Sequence, residues 1–248
     1  MTDAMTETRP KVCVVIGAGD ATGGAIARRF AREGYTVCVT RRSADKLEAL
    51  KARIEAEGGI CHAFGSDARE EEEVIALFTR IEADIGPVEV CVFNIGGNVR
   101  FGITETTARV YRKVWEMCAF GGFLTGREAA RLMLPRQRGT IIFTGATASL
   151  RGGVGFAAFA GGKHALRALA QSMARELGPQ GIHVAHVVID GGIDTPFIAE
   201  RFPERYALKD QDGILNPDAI AENYWMLHCQ QRSAWTHELD LRPWMEKW

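Results

Sequence analysis

The sequence carries no surplus of either charge: 30 Lys and Arg stand against 31 Asp and Glu. Such a balance produces no field that would gather nucleic acid or an anionic membrane surface, so the expected partner is a small molecule. Paired cysteines are also missing. Cys13, Cys38, Cys61, Cys91, Cys118 and Cys229 are scattered without CxxC spacing, which argues against a zinc site and a disulfide framework alike. No apolar run is long enough to cross a bilayer, and the polar opening MTDAMTETRPKVCVV lacks the charged-then-apolar profile of an export signal. The expected location is the cytoplasm, with no membrane partner. HExxH, the paired carboxylates of glycosidases and a GxxxxGK(S/T) loop are absent as well. His183 and His186 stand three apart on a strand-like run and so fall on opposite faces, leaving no metal site in view.

What the chain does have is 248 residues with 46% apolar content, enough to bury the core of one α/β domain. Continuous apolar runs rich in β-branched residues recur at 12–16, 36–40, 88–93, 140–144 and 182–189, with weaker ones at 59–64 and 237–241. Runs of this type suit strands covered on both faces. Helical patterns fill the gaps, several ending in glycine. Strand alternating with helix predicts a parallel sheet of about seven strands with helices on both faces, whose ligands bind beyond the carboxyl ends of the strands. Residues 1–10 read as a flexible tail and 11–248 as a single domain. Within it, a Gly/Pro/Asp-punctuated insertion over about 190–231 is expected to wall a pocket. The tryptophans of the closing RPWMEKW are expected to pack in the core or between subunits.

The stretch VVIGAGDATGGAIARRF follows the first strand and opens the first helix. Gly17, Gly19 and Gly23 allow a sharp turn and close backbone approach, and the free N–H groups of a helix start favour a phosphate. Dinucleotide binding is the expectation. Residues at the end of the second strand choose the dinucleotide: a carboxylate there suits the ribose hydroxyls of NAD, whereas arginine suits the 2′-phosphate of NADP. The sequence has Thr40-Arg41-Arg42, which favours NADP over NAD, although Asp20 in the loop opposes an added phosphate.

With this loop, SDAR (66–69) after the third strand, FNIGG (93–97) after the fourth and FAGGK (159–163) on a later helix, the chain resembles the short-chain dehydrogenase/reductase family from Lys11 to Thr195. The resemblance implies a Rossmann-type doubly wound sheet. It also implies an oxidoreductase with a phosphate loop over Gly17, Gly19, Asp20, Ala21, Thr22 and Gly23, Ala21 standing where the family has its middle glycine. Asp67, beside Ala68, matches the adenine reader, Asn94-Ile95-Gly96 the turn beside the cofactor, and Thr195 the contact to the nicotinamide amide. Asp190 replaces the proline usual before that last turn. Long helices around 107–134 and 154–177 correspond to those through which relatives assemble, so a homodimer or homotetramer is expected.

The catalytic tetrad of the family is Asn, Ser, Tyr and Lys. Here those positions hold Cys118, Ala146, Phe159 and Lys163. Only the lysine remains. Phe159 has no ionisable proton, and a positioned general acid contributes ~10²–10⁴ in rate. Thr144, Thr147 and Ser149 flank Ala146 and offer hydroxyls, Thr147 foremost. Cys118 is a candidate nucleophile, while His164 points about 100° away from Lys163. Three readings stand: an NADP-dependent reductase or dehydrogenase of a small carbonyl or alcohol with an altered proton donor, a nucleotide-binding sensor or structural subunit without turnover, and a non-redox enzyme such as a dehydratase or isomerase. The substrate is expected between 97–101, 150–156 and the insertion, with Arg100 and Arg151 as anion partners.

Overall fold

The five strong apolar runs become strands buried along their whole length, with side chains covered from both sides, whereas the weaker runs at 59–64 and 237–241 form the partly exposed edge strands. In the computed structural model, which describes residues 9–246, the chain runs β1 (Val12–Ile16), α1 (Thr22–Arg32), β2 (Thr36–Arg41), α2 (Glu48–Ala56), β3 (Ile60–Gly65), α3 (Glu71–Arg80), β4 (Val88–Phe93), α4 (Ala108–Trp115) and α5 (Gly121–Met133). It continues through β5 (Gly139–Thr144), α6 (Ala157–Leu177), β6 (Ile182–Ile189), α7 (Pro196–Arg201), α8 (Pro203–Tyr206), α9 (Pro217–Cys229) and β7 (Glu238–Leu241). The first eight residues of the expected tail, and Trp248, lie outside the described residues.

The seven strands form one sheet in the order β3-β2-β1-β4-β5-β6-β7, and every pairing is parallel. The chain starts in the middle, works outward to β3, then returns beside β1 as β4. Loops leaving the carboxyl ends of β1 and β4 therefore diverge and open a crevice, the usual ligand position on such sheets.

Two core layers cover the sheet. On one face Phe30, Ile26, Leu47 and Tyr224 pack under α1, α2 and α9; on the other, Phe93, Phe143, Met133 and Leu166 pack under α3, α5 and α6. Truncating a fully buried ring such as Phe30 to alanine costs about 3–5 kcal/mol.

Two local features bear on the site. The helical run expected over 107–134 is divided by a π-helical turn, Glu116–Phe120, between α4 and α5. Such turns commonly mark functional positions, and this one carries Cys118. In the expected insertion, α7 and α8 have no buried residue, whereas α9 buries Ile220, Ala221, Tyr224 and Leu227 against the core. Asn216 starts α9 by accepting from the N–H groups of Asp218 at 2.8 Å and Ala219 at 3.4 Å. Trp244 is 75% exposed and donates to the Gln211 carbonyl at 3.0 Å, so it is not a core residue.

Candidate active site

The carboxyl end of β1 turns into α1 at Gly17, whose φ of 87° is left-handed and whose added Cβ would lie 2.8 Å from Ile95. A Cβ on Gly23 would lie 2.7 Å from the Gly17 carbonyl. Both positions therefore require glycine for the turn itself. Gly19 and Gly96 differ, because a Cβ on either would meet nothing within 4 Å: they border open space above the sheet.

Helix α1 begins without a side-chain cap, Ala21 occupying the cap position. Its first N–H groups are therefore free to bind an anion. The adjacent Thr22 is buried, yet its hydroxyl has no hydrogen-bond partner. An unpaired buried hydroxyl costs about 1–3 kcal/mol, and a phosphate oxygen at the helix start would remove that cost. The residues present thus fit a phosphate-bearing ligand. Asp20 is exposed on the same loop.

Beside this turn lies a cavity of about 150 Å³ bordered by Gly17, Thr40, Arg41, Arg42, Ser66, Asp67, Ala68, Arg69, Ile95 and Met117. Arg41 reaches the Lys46 carbonyl at 3.3 Å, while the exposed Arg42 influences Asp67 only through its charge. Asp67 is clamped by Arg69, with the guanidinium at 2.9 and 2.5 Å from its two oxygens. Those bonds hold its carboxyl below the usual carboxylate range. Sequence reasoning placed Asp67 here and left Arg69, Ser66 and Met117 unassigned; Arg69, in the same SDAR stretch, was the legible one.

The strand-end residues lock the two halves together. Asn94 donates to the Gly17 carbonyl at 3.1 Å, tying β4 to the glycine loop. Ile95 offers its carbonyl to Lys163 Nζ at 3.0 Å, and Thr144 does so at 2.8 Å. Lys163 is buried with no carboxylate bonded to it, and desolvation lowers its pKa. Its amine faces inward from α6, 6.0 Å from the Phe159 ring centroid.

Around that amine the lining is apolar. Phe159, Cys118, Ala148, Ala158, Ala160 and Val114 form one buried cluster, with Ala146 and Phe156 packed against it. Burial raises the Cys118 thiol pKa, against an opposing pull from Lys163 and a hydrogen bond from the Gly97 amide. A thiol held protonated is a poor nucleophile. Ser149 is fully buried and accepts from the Ala146 amide at 3.1 Å. The Thr144 hydroxyl pairs with Tyr224 at 2.8 Å. Thr147, half-buried, donates its hydroxyl to Asp190. Thr195 accepts from the Ile198 amide at 3.2 Å, which makes it the cap of α7.

His164 is exposed and bonded to its own helix through the Ala160 carbonyl at 2.9 Å. His183 and His186 serve separate partners, Thr236 and Glu238. Among the described residues no cluster of three or more metal-binding side chains occurs. No helix among them is long and apolar enough to cross a membrane.

Residues 11–205 match the family model described as short chain dehydrogenase. The chain belongs to this family of oxidoreductases. It is 33% identical over 185 residues to a 3-oxoacyl-[acyl-carrier-protein] reductase of Rattus norvegicus, covering 75% of this chain and 76% of that one. A solved short-chain dehydrogenase from Rhodopseudomonas palustris is 51% identical, with a TM-score of 0.81 over 94% of this chain and 99% of the other. A metagenomic short-chain oxidoreductase solved in complex with NADP is 26% identical, with a TM-score of 0.82 over 95% and 98% of the two chains.

Proposed function

We propose that this protein is an NADP-dependent oxidoreductase of a small alcohol or carbonyl compound, working without the phenolic proton donor of its family. The observation that carries the reading is the unpartnered, buried Thr22 hydroxyl at the uncapped start of α1, beside the open space at Gly19. Arg41 and Arg42 border the neighbouring cavity and supply the fork geometry and charge that a 2′-phosphate takes and that a bare ribose hydroxyl does not need. The NADP complex of the metagenomic relative supports the choice.

NADP supplies a nicotinamide carbon that accepts or donates hydride. The chain's residues do the rest. Backbone N–H groups of Thr22 and its neighbours would hold phosphate, the Asp67–Arg69 pair borders the far end, and the Lys163 amine lies under the crevice on the carbonyls of Ile95 and Thr144. The apolar wall of Phe159, Ala146 and Ala148 excludes water. Assembly as a homodimer or homotetramer through α4, α5 and α6 belongs to the same reading. It is supported by the partly exposed aromatic stack of Trp115, Phe120 and Phe123, and a cytoplasmic location by the six free cysteines.

A second reading, nucleotide binding without turnover, is favoured by Phe159: it brings no ionisable proton to the Lys163 amine. Titration with NADPH and NADH, followed by assay against alcohols and ketones, separates the two. Binding of NADPH in preference to NADH is expected. Binding of neither defeats both readings; binding with no turnover leaves the second.

A further inference from the structure

Helix α4 opens with a concentration of charge that the fold does not use. Arg109, Arg112 and Lys113 recur at the three- and four-residue intervals that place side chains on one helical face. With Ala108 and Glu116 of the same helical run, and Arg69 from the stretch after β3, they border an open depression of about 370 Å³. Val110 and Val114 pack on another side of the helix, in the cluster around Phe159. Four cations thus share one depression with a single carboxylate, in a chain whose net charge is -1.

Further along the same helical run the cations are matched. Arg127 pairs with Glu71 and Glu128, and Arg131 with Glu128. Among the described residues, Arg109, Arg112 and Lys113 form no ion pair. Folding gives this stripe nothing in return, because like charges three and four residues apart repel. Nor does the helix dipole favour it: the run continues through Glu116 without a break, so Arg112 and Lys113 do not stand at a carboxyl terminus. Arg69 also has donors to spare. Its Nε and one terminal nitrogen hold Asp67, which uses two of the five N–H groups of a guanidinium.

We infer that this depression is a binding site for a multiply charged phosphate anion of the oligophosphate type, beside the nucleotide cavity and sharing Arg69 with it. Phosphate oxygens accept the forked N–H pairs of guanidinium groups. Exposed ion pairs are individually weak, so the ligand must reach several cations at once. The stripe from Arg109 to Lys113 climbs about 6 Å along the helix, a span that calls for more than one phosphoryl group. Glu116 repels any anion and closes that end of the site. The inference stands on the α4 stripe and does not depend on which nucleotide the neighbouring cavity takes.

Tripolyphosphate is titrated calorimetrically into the nucleotide-free protein, with sulfate at matched ionic strength as the reference. Saturable uptake of tripolyphosphate and none of sulfate is expected. Arg109→Gln, Arg112→Gln and Lys113→Gln together should weaken that uptake about 10–100-fold, with circular dichroism showing the helix intact. Arg41→Ala with Arg42→Ala, in the neighbouring cavity, should leave it in place. Glu116→Gln should tighten it by roughly twofold to fivefold, because an opposing charge is removed; a stripe that merely braced the helix would gain nothing from that change. No uptake, the result if a second copy of the chain already covers the stripe, overturns the inference. Uptake matched by sulfate overturns it as well. So does uptake that survives replacement of the three α4 cations or disappears with Arg41 and Arg42, since either places the anion elsewhere.

Discussion

At the β1–β3 end of the crevice the bordering groups are backbone amides, the Thr22 hydroxyl and three arginines, Arg41, Arg42 and Arg69. At the β5–α6 end they are Phe159, Ala146 and a buried thiol. The first region is made mostly of main chain, whose hydrogen-bonding capacity does not depend on residue type so long as the turn can form. Exchanges such as Ala21 for glycine leave it intact. The second is made of particular side chains, and Phe159 and Ala146 there bring apolar contact and no transferable proton. The two regions therefore tolerate substitution differently, because they are held by different kinds of interaction.

Restoring the lost groups breaks this contrast most directly. Phe159→Tyr with Ala146→Ser is expected to raise ketone reduction by ~10²–10⁴, measured as NADPH consumption under saturating nucleotide. No gain would mean that the apolar wall no longer presents a carbonyl to the cofactor. The opposite attack is Gly23→Val. Its Cβ would lie 2.7 Å from the Gly17 carbonyl, and the displaced loop should lose NADPH affinity by at least ~100-fold, read by calorimetry with circular dichroism to show that the fold persists. Retained affinity would show that the cradle is not where phosphate sits.

A smaller effect tests which nucleotide the first region was built for. Arg41→Ala with Arg42→Ala should weaken NADPH by about 10–100-fold, from the loss of charge-assisted hydrogen bonds, and leave NADH nearly unchanged. Equal loss for both would place the arginines away from the 2′-phosphate.

A separate effect concerns stability rather than binding. Burial lowers the pKa of His186, packed beneath α6 beside Glu238, to about 4, and that of His228 also to about 4. Because both are depressed from 6.5, the unfolded chain takes up protons first as pH falls. Stability is thus fully present above about pH 6.5, declines between there and pH 4, and stops declining from this cause once the folded protein also protonates. Each histidine contributes on the order of 3 kcal/mol across that window. Urea midpoints measured from pH 7 to 4 should show the slope, and His186→Gln should make it shallower; an unchanged slope would place the proton uptake elsewhere.

Much of the first region was legible from the chain. The continuous run VCVVI gave a buried strand, the glycines after it gave the turn, and Arg41, Arg42, Asp67 and Ala68 all line the neighbouring cavity. Less of the second region was. Thr147 stood out as a hydroxyl near Ala146, but nothing local showed that its proton is taken by Asp190, 43 residues away. Asp190 itself was visible only as a missing proline. Cys118 read as a candidate nucleophile until burial in a π-helical turn raised its pKa. Trp244 had the composition of a packing residue and is largely exposed.

By itself the sequence determined the parallel sheet, its order of strands and helices, and the glycine turn after β1. Those follow from hydrophobic periodicity and from backbone freedom at a few glycines, both properties of short stretches. Tertiary structure alone decided where the polar atoms of the crevice point: Lys163 onto the carbonyls of Ile95 and Thr144, Thr147 onto Asp190, and Asp190 onto Arg242. Hydrogen-bond partners at strand ends are chosen by which strands lie side by side, and that adjacency exists only once the whole sheet has formed.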